Sequence, residues 1–136
     1  MEFIEKIFNF GTMVIGIVLS TIIILMGGQD ALLKAVFIAM TIDYITGVVR
    51  GFRFNELSSR VGFNGILRKG IMIMVIVFAV ALDDALTLTN DAINARTMIL
   101  LFYIGNEGRS IFENCEALGV PIPKGIKDFI EKLKKY

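Results

Sequence analysis

The feature that most constrains this chain is a run from Phe10 to Met26 that holds no charged residue. A bilayer core about 30 Å thick is crossed by roughly 20 apolar residues in a helix, and this run is close to that length. It does not stand alone. Ala31 to Val49 is apolar except for Lys34 near its start and Asp43 deeper inside. Gly70 to Leu82 is almost wholly Ile, Met, Val, Phe and Ala, and reaches spanning length by continuing through Asp83-Asp84 to about Leu88. Hydrophobic residues make up 55% of the 136 and mean hydropathy is +0.71, more apolar than a water-soluble domain sustains. The opening Met1-Glu2-Phe3-Ile4-Glu5-Lys6 is acidic rather than basic, and no small-residue cleavage site follows, so the first run reads as a retained span rather than a signal peptide.

A fourth segment is amphipathic. Thr97 to Gly105 is apolar; then Asn106, Glu107 and Arg109 intervene while Ile111, Phe112, Cys115 and Leu118 continue a stripe. Charge placement decides how to count it, because Lys and Arg in short loops mark the cytoplasmic side. Arg50, Arg53, Arg60, Arg68 and Lys69 lie between the second and third runs against only Glu56. The tail after Gly119 holds Lys124, Lys127, Lys132, Lys134 and Lys135. Gly27 to Asp30 and Asp83 to Ala95 carry acids and no base. Two basic segments on one side require an even number of crossings between them. The expectation is an all-α integral membrane protein of about four spans, near 10–26, 31–49, 70–88 and 97–117, forming a domain over 1–118. A basic cytoplasmic tail, 119–136, follows, and both termini face the cytoplasm. The competing reading makes the fourth segment an interfacial or soluble helix. Beyond Pro121 and Pro123, Ile126, Phe129, Ile130 and Leu133 recur at helical spacing, predicting a short amphipathic helix on the membrane surface or in the cytosol.

Inside the spans, polar residues carry the information. On the second, Ala35, Ala39, Asp43, Gly47 and Gly51 recur every four residues and share one helix ridge, a small-residue seam of the kind that lets helices approach closely in lipid. A shorter seam runs through Thr12, Gly16 and Ser20. Both fit packing within one chain as well as packing between copies. An ionisable residue within a span costs about 3 kcal/mol even on the lenient insertion scale, so Asp43 implies a partner, a watery cavity or protonation. Thr46, one turn on, and Asn106 and Glu107 in the fourth segment lie at comparable depth. They either line one aqueous path or satisfy one another by interhelical hydrogen bonds. Arg109 and Glu113 are spaced to pair along one helix.

Several chemistries are excluded. The chain has no histidine and one cysteine, Cys115, so internal disulfides, His-containing zinc sites and His-based triads lack their components. Gly65 to Gly70 continues into Ile71-Met72 rather than Lys-Ser/Thr, which removes a phosphate loop. No metal, cofactor, nucleic acid or enzymatic step is expected; the partners implied are the lipid bilayer and further copies of the chain.

Read in order, Asp43-Tyr44-Ile45-Thr46-Gly47, Leu57-Ser58-Ser59-Arg60, Gly62-Phe63-Asn64-Gly65-Ile66-Leu67-Arg68-Lys69, Arg96-Thr97, Tyr103-Ile104-Gly105-Asn106-Glu107 and Leu118-Gly119-Val120-Pro121-Ile122-Pro123 resemble the toxin-secretion and phage-lysis holins of Gram-positive bacteria and their phages. The resemblance covers roughly Val36 to Leu133; the first span carries only hydrophobicity. It implies a protein that accumulates in the cytoplasmic membrane and assembles into holes through which an endolysin or a large toxin leaves. It supplies no catalytic residues. An antiholin, a small ion or solute channel or transporter, and a membrane adaptor that tethers an enzyme by its Lys-rich tail are the alternatives that the sequence leaves open.

Overall fold

The computed structural model describes residues 1–87 and 94–135, and every regular element among them is a helix. α1 is Glu2–Leu25, α2 Ala31–Arg53, α3 Ser59–Ala85, α4 Ala95–Ala117 and α5 Lys124–Leu133. Each boundary has a local cause. Gly27 and Gly28 take positive φ, 88° and 84°, and end α1. The Asp30 side chain accepts from the Leu33 amide at 2.8 Å and starts α2. Ser58 does the same for α3 through the Val61 amide, and Asn94 for α4 through the Thr97 amide. The expected end of the third run at Leu88 falls outside the described residues; α3 closes at Ala85 with Leu86 as its cap.

Helix and apolar run are not the same interval. α1 begins at Glu2, well before Phe10, with two acids in its first turn, where the helix dipole favours them. The larger correction concerns the basic segment between the second and third runs, read as a loop. Only 54–58 connects α2 to α3; Arg50 and Arg53 belong to the last turn of α2, while Arg60, Arg68 and Lys69 are helical residues of α3. Hydropathy locates where a helix leaves lipid, and a helix can continue well past that point.

The packing centres on α4. It lies against α2, α3 and α5, while α2 and α3 touch one another little. The apolar core, Met26, Leu33, Val36, Met40, Met72, Ile76, Leu100 and Tyr103, fills the end of the bundle near the Gly27 turn. α1, α2 and α3 are each long and apolar enough to cross a membrane. α4 is not, and its position explains why a helix can carry Glu107, Asn114 and Gly108 in the interior: protein, rather than lipid, surrounds those residues.

α1 is the opposite case. It buries none of its 24 residues within the chain, and Ile22, Ile23 and the following Met26 are where it packs against the apolar core. At about 1.5 Å per residue it is long enough to cross a bilayer, and its exposed Phe3, Ile7, Phe10, Ile15 and Leu19 demand an apolar surrounding.

Candidate functional site

At the end of the bundle away from the apolar core, charges converge inside. Lys69 of α3 is the hub: its Nζ donates to Asp43 Oδ2 of α2 at 2.8 Å and also to Glu107 Oε2 of α4. Arg68 Nη2 stands 4.0 Å from the same Asp43 oxygen, its own side chain largely in the open. Asn114 completes the group. Its Nδ2 donates to Thr46 Oγ1 at 3.2 Å and to Asp43 Oδ1 at 3.4 Å, while its Oδ1 accepts from Arg50 Nη1 at 3.4 Å. The Thr46 hydroxyl donates back to the Ile42 carbonyl at 2.8 Å, which frees its lone pairs to face Asn114. Glu107 is 0% exposed, and its second oxygen, Oε1, has no hydrogen-bond partner.

Depth follows from the helical rise. Asp43 is roughly 20 Å along α2 from Asp30, and Lys69 a similar distance along α3 from Asp83. The network therefore lies on the far side of the apolar core from the Gly27 turn, toward the α2–α3 connection. Small residues make the approach possible. A Cβ on Gly47 would lie 3.7 Å from Asn114 Nδ2, and Tyr44 packs over Gly62 and Gly65, so the α2 ridge and the start of α3 are shaped for their neighbours.

Of the expected polar residues, the structure brings together Asp43, Thr46 and Glu107. Asn106 is one position out of phase with Glu107 and no hydrogen bond joins it to the network. Asn114 takes the place expected of it, two turns beyond Glu107 on the same face; that seven-residue spacing was the available signal. Lys69, expected in a loop, is a helical residue of α3 and a part-buried counter-ion with a side chain 14% exposed. A charge next to an apolar run, in a chain with acids in two other apolar segments, is the sequence hint to that role.

The two seams differ. On α2, Ala35 and Ala39 are half-buried, Gly47 seats Asn114, and a Cβ on Gly51 would lie 3.4 Å from Leu57 Cδ1 of the connection. On α1, Thr12, Gly16 and Ser20 are exposed, and a Cβ added at Gly16 would meet no other part of the described chain within 4 Å.

A second polar cluster lies at the opposite end. Arg96 Nε donates to the Met26 carbonyl at 2.7 Å, Nη1 to Asp30 Oδ2 at 2.6 Å and Nη2 to the Gly28 carbonyl at 3.3 Å. Buried Asp83 accepts from the amides of Ala95 and Arg96 at 2.7 and 2.8 Å, tying the end of α3 to the start of α4. The Arg96 hydrogen bond outweighs the opposing effect of burial and holds the Asp30 carboxyl below the ordinary aspartate range. At the other extremity α5 folds back on α4: Ile130 and Lys134 cover Gly105 and Gly108, Lys127 pairs with Glu116, and the expected Arg109–Glu113 pair forms at 2.7 Å with Glu131 3.9 Å away.

Three long apolar helices, with a lysine-bridged pair of acids held between α2, α3 and α4, define a helical membrane protein. The chain belongs to the bacteriophage holin family, which it matches over residues 20–135. It is 40% identical, over 98% of its own length and 97% of the relative's, to an uncharacterized 14.9 kDa protein from the region 3′ of nagH in Clostridium perfringens. It is also 40% identical to the probable holin of Bacillus phage phi105, over 74% of this chain and 73% of that protein. A second uncharacterized protein, from Clostridium perfringens strain 13, is 43% identical over 79% of this chain and 78% of its own. No solved structure matches. Membership makes this a protein of the cytoplasmic membrane and of a class that works without an enzymatic step.

Proposed function

We propose that the chain assembles with copies of itself in the cytoplasmic membrane and opens holes through which an endolysin or a large toxin leaves. The observation that carries this reading is the Lys69–Asp43–Glu107 network. A buried ion pair gains little over its own desolvation, so it is near balance with the same groups in water. In the single chain the charges satisfy one another inside the bundle. In a crowded assembly, separation of α3 from α2 and α4 would turn Asp43, Thr46, Glu107 and Asn114 toward water, and hydration would replace the lost bridges. Two arrangements of similar free energy are what a device that stays silent and then opens requires. Transmembrane voltage adds a bias of about 2.3 kcal/mol per charge per 100 mV.

In this proposal the chain crosses four times with both termini in the cytoplasm, α4 being the central crossing. Two observations support it. The interior polar residues of α4 face α2 and α3, and the α2–α3 connection and α5 lie toward the same end of the bundle, which unites the two basic segments. The exposed face of α1, with its Thr12, Gly16 and Ser20 seam, is the surface left for contact between copies.

The test is to express the chain alone in a bacterium and follow uptake of a membrane-impermeant dye. Abrupt uptake after a silent lag is expected. An intact membrane at high expression would overturn the reading, and delay of leakage caused by a coexpressed holin would identify an antiholin instead. Reporter fusions at each terminus check the orientation: both must report cytoplasm.

A further inference from the structure

Between α2 and α3 the bundle is open. The two helices are held together largely through α4, and the gap between them forms two neighbouring cavities. One, about 200 Å³, lies toward the α2–α3 connection and is walled by Tyr44, Val61, Gly62, Gly65, Arg68 and Lys69, among others. The other, about 400 Å³, lies toward the middle of the bundle and is almost wholly apolar, with Phe37, Met40, Ile45, Ile66 and Ile73 in its walls. Tyr44 and Lys69 belong to both, so the cavities adjoin.

Polarity is graded along this crevice in the direction of a lipid. At the connection end stand Arg68 and Lys69, with Arg50 just behind Asn114 and Arg53 and Arg60 exposed at the same end. Asp43 also lines the polar cavity, but Lys69 at 2.8 Å occupies its Oδ2 and Asn114 its Oδ1. Arg68 is left to act outward: its side chain is 61% exposed and stands 4.0 Å from Asp43. Deeper in, beyond the shared Tyr44 and Lys69, the walls are carbon apart from the Thr41 hydroxyl, which is already spent on the Phe37 carbonyl. Basic pockets between membrane helices suit anionic headgroups, and an apolar slot continuous with one suits an acyl chain.

We propose that this crevice binds one anionic phospholipid of the leaflet on the α2–α3 connection side, its phosphate against Arg68 and one acyl chain along Phe37, Met40 and Ile73. The bound lipid fills the gap between α2 and α3 that the protein leaves open. It ties the integrity of the Lys69 network to membrane composition, and it does not rest on hole formation.

The test is native mass spectrometry of the full chain released from mixed micelles containing equal palmitoyl-oleoyl phosphatidylglycerol and phosphatidylcholine. One phosphatidylglycerol per chain should be retained, about fivefold over phosphatidylcholine for one arginine near the headgroup. Arg68→Gln should bring the two lipids to parity, and Arg68→Lys should restore part of the preference. Thr41→Trp, which fills the apolar cavity from the lipid side, should lower retention of both lipids; circular dichroism confirms that each variant keeps its helix content. Equal retention by the wild-type chain would overturn the proposal. So would full displacement of phosphatidylglycerol by millimolar glycerol 1-phosphate, which would show a headgroup site without a chain slot, or dimers in place of lipid adducts, which would assign the crevice to a second copy.

Discussion

The two polar clusters of the bundle use similar residues to opposite ends. Around Arg96, the guanidinium reaches two backbone carbonyls and one carboxylate, and Asp83 receives two amides. Asp30 stays 45% exposed, so the cluster is wet at its rim. Around Lys69, a single ammonium serves two buried acids and one oxygen, Glu107 Oε1, is left over. The first cluster is saturated and acts as a clasp that joins the α1–α2 turn to α3 and α4. In the second, Lys69 is the residue that joins the two acids, with Asn114 bracing Asp43 from the other side. Stability and readiness to rearrange are thus assigned to different ends of the same helices.

The comparison breaks most sharply at Lys69. Lys69→Met leaves Asp43 and Glu107 buried without their shared cation, and should destabilise the fold by about 3–5 kcal/mol, measured as loss of helical circular dichroism on titrating dodecyl sulfate into mild-detergent micelles. Adding Glu107→Leu to that variant should recover part of the loss; no recovery would mean that the acids are not the source of the penalty. Next comes the clasp. Arg96→Gln should lose about 2 kcal/mol in the same titration, and Arg96→Lys should not rescue it, because a point charge cannot serve three separated acceptors. Unlike the Lys69 variant, it should leave the lag before dye uptake dependent on protein level alone.

Glu107→Gln is a milder probe of the unsaturated end. It removes one negative charge and gives the orphan position a donor, so stability should change by less than about 1.5 kcal/mol, while the onset of dye uptake shifts. Unchanged timing would show that this acid has no part in opening. Smallest is the pH effect at the clasp. Asp30 has its folded-state value below the ordinary one, so its contribution is complete above about pH 3.9 and disappears as pH falls through the lower folded value. Half-exposure and solvent screening hold it under about 1 kcal/mol. Melting between pH 6 and 2 should show the loss, and Asp30→Asn should flatten it.

What the sequence makes legible follows from what hydropathy measures. Phe10 to Met26, Ala31 to Val49 and Gly70 to Leu82 stand out because lipid contact selects carbon, and α1, α2 and α3 contain them. The roughly three turns of helix from Ser59 to Lys69 escape that signal, since arginine is about as good a helix former as leucine; the capping Ser58 is a local mark of their start. Asp43 and Glu107 are recognisable as polar residues out of place. Their partner is not, because Lys69 lies 26 and 38 residues from them in sequence and no periodicity spans separate helices. Asn106 and Asn114 illustrate the same limit within one helix, where a shift of a single position turns a side chain by 100° and only the packed neighbours decide which amide faces inward.

The seating of α5 has a consequence for how such a chain can vary. A Cβ at Gly105 would fall 2.8 Å from Lys134 Cγ and 3.1 Å from the Ile130 carbonyl, and one at Gly108 would fall 3.0 Å from Ile130 Cδ1. An alanine at Gly108 is eased by a small shift or shortening of the side chain at 130, whereas one at Gly105 also crowds the backbone of Ile130 and Lys134, which no side-chain exchange removes. Drift at 108 and 130 should occur in matched pairs, while 105 stays fixed as long as the tail remains docked.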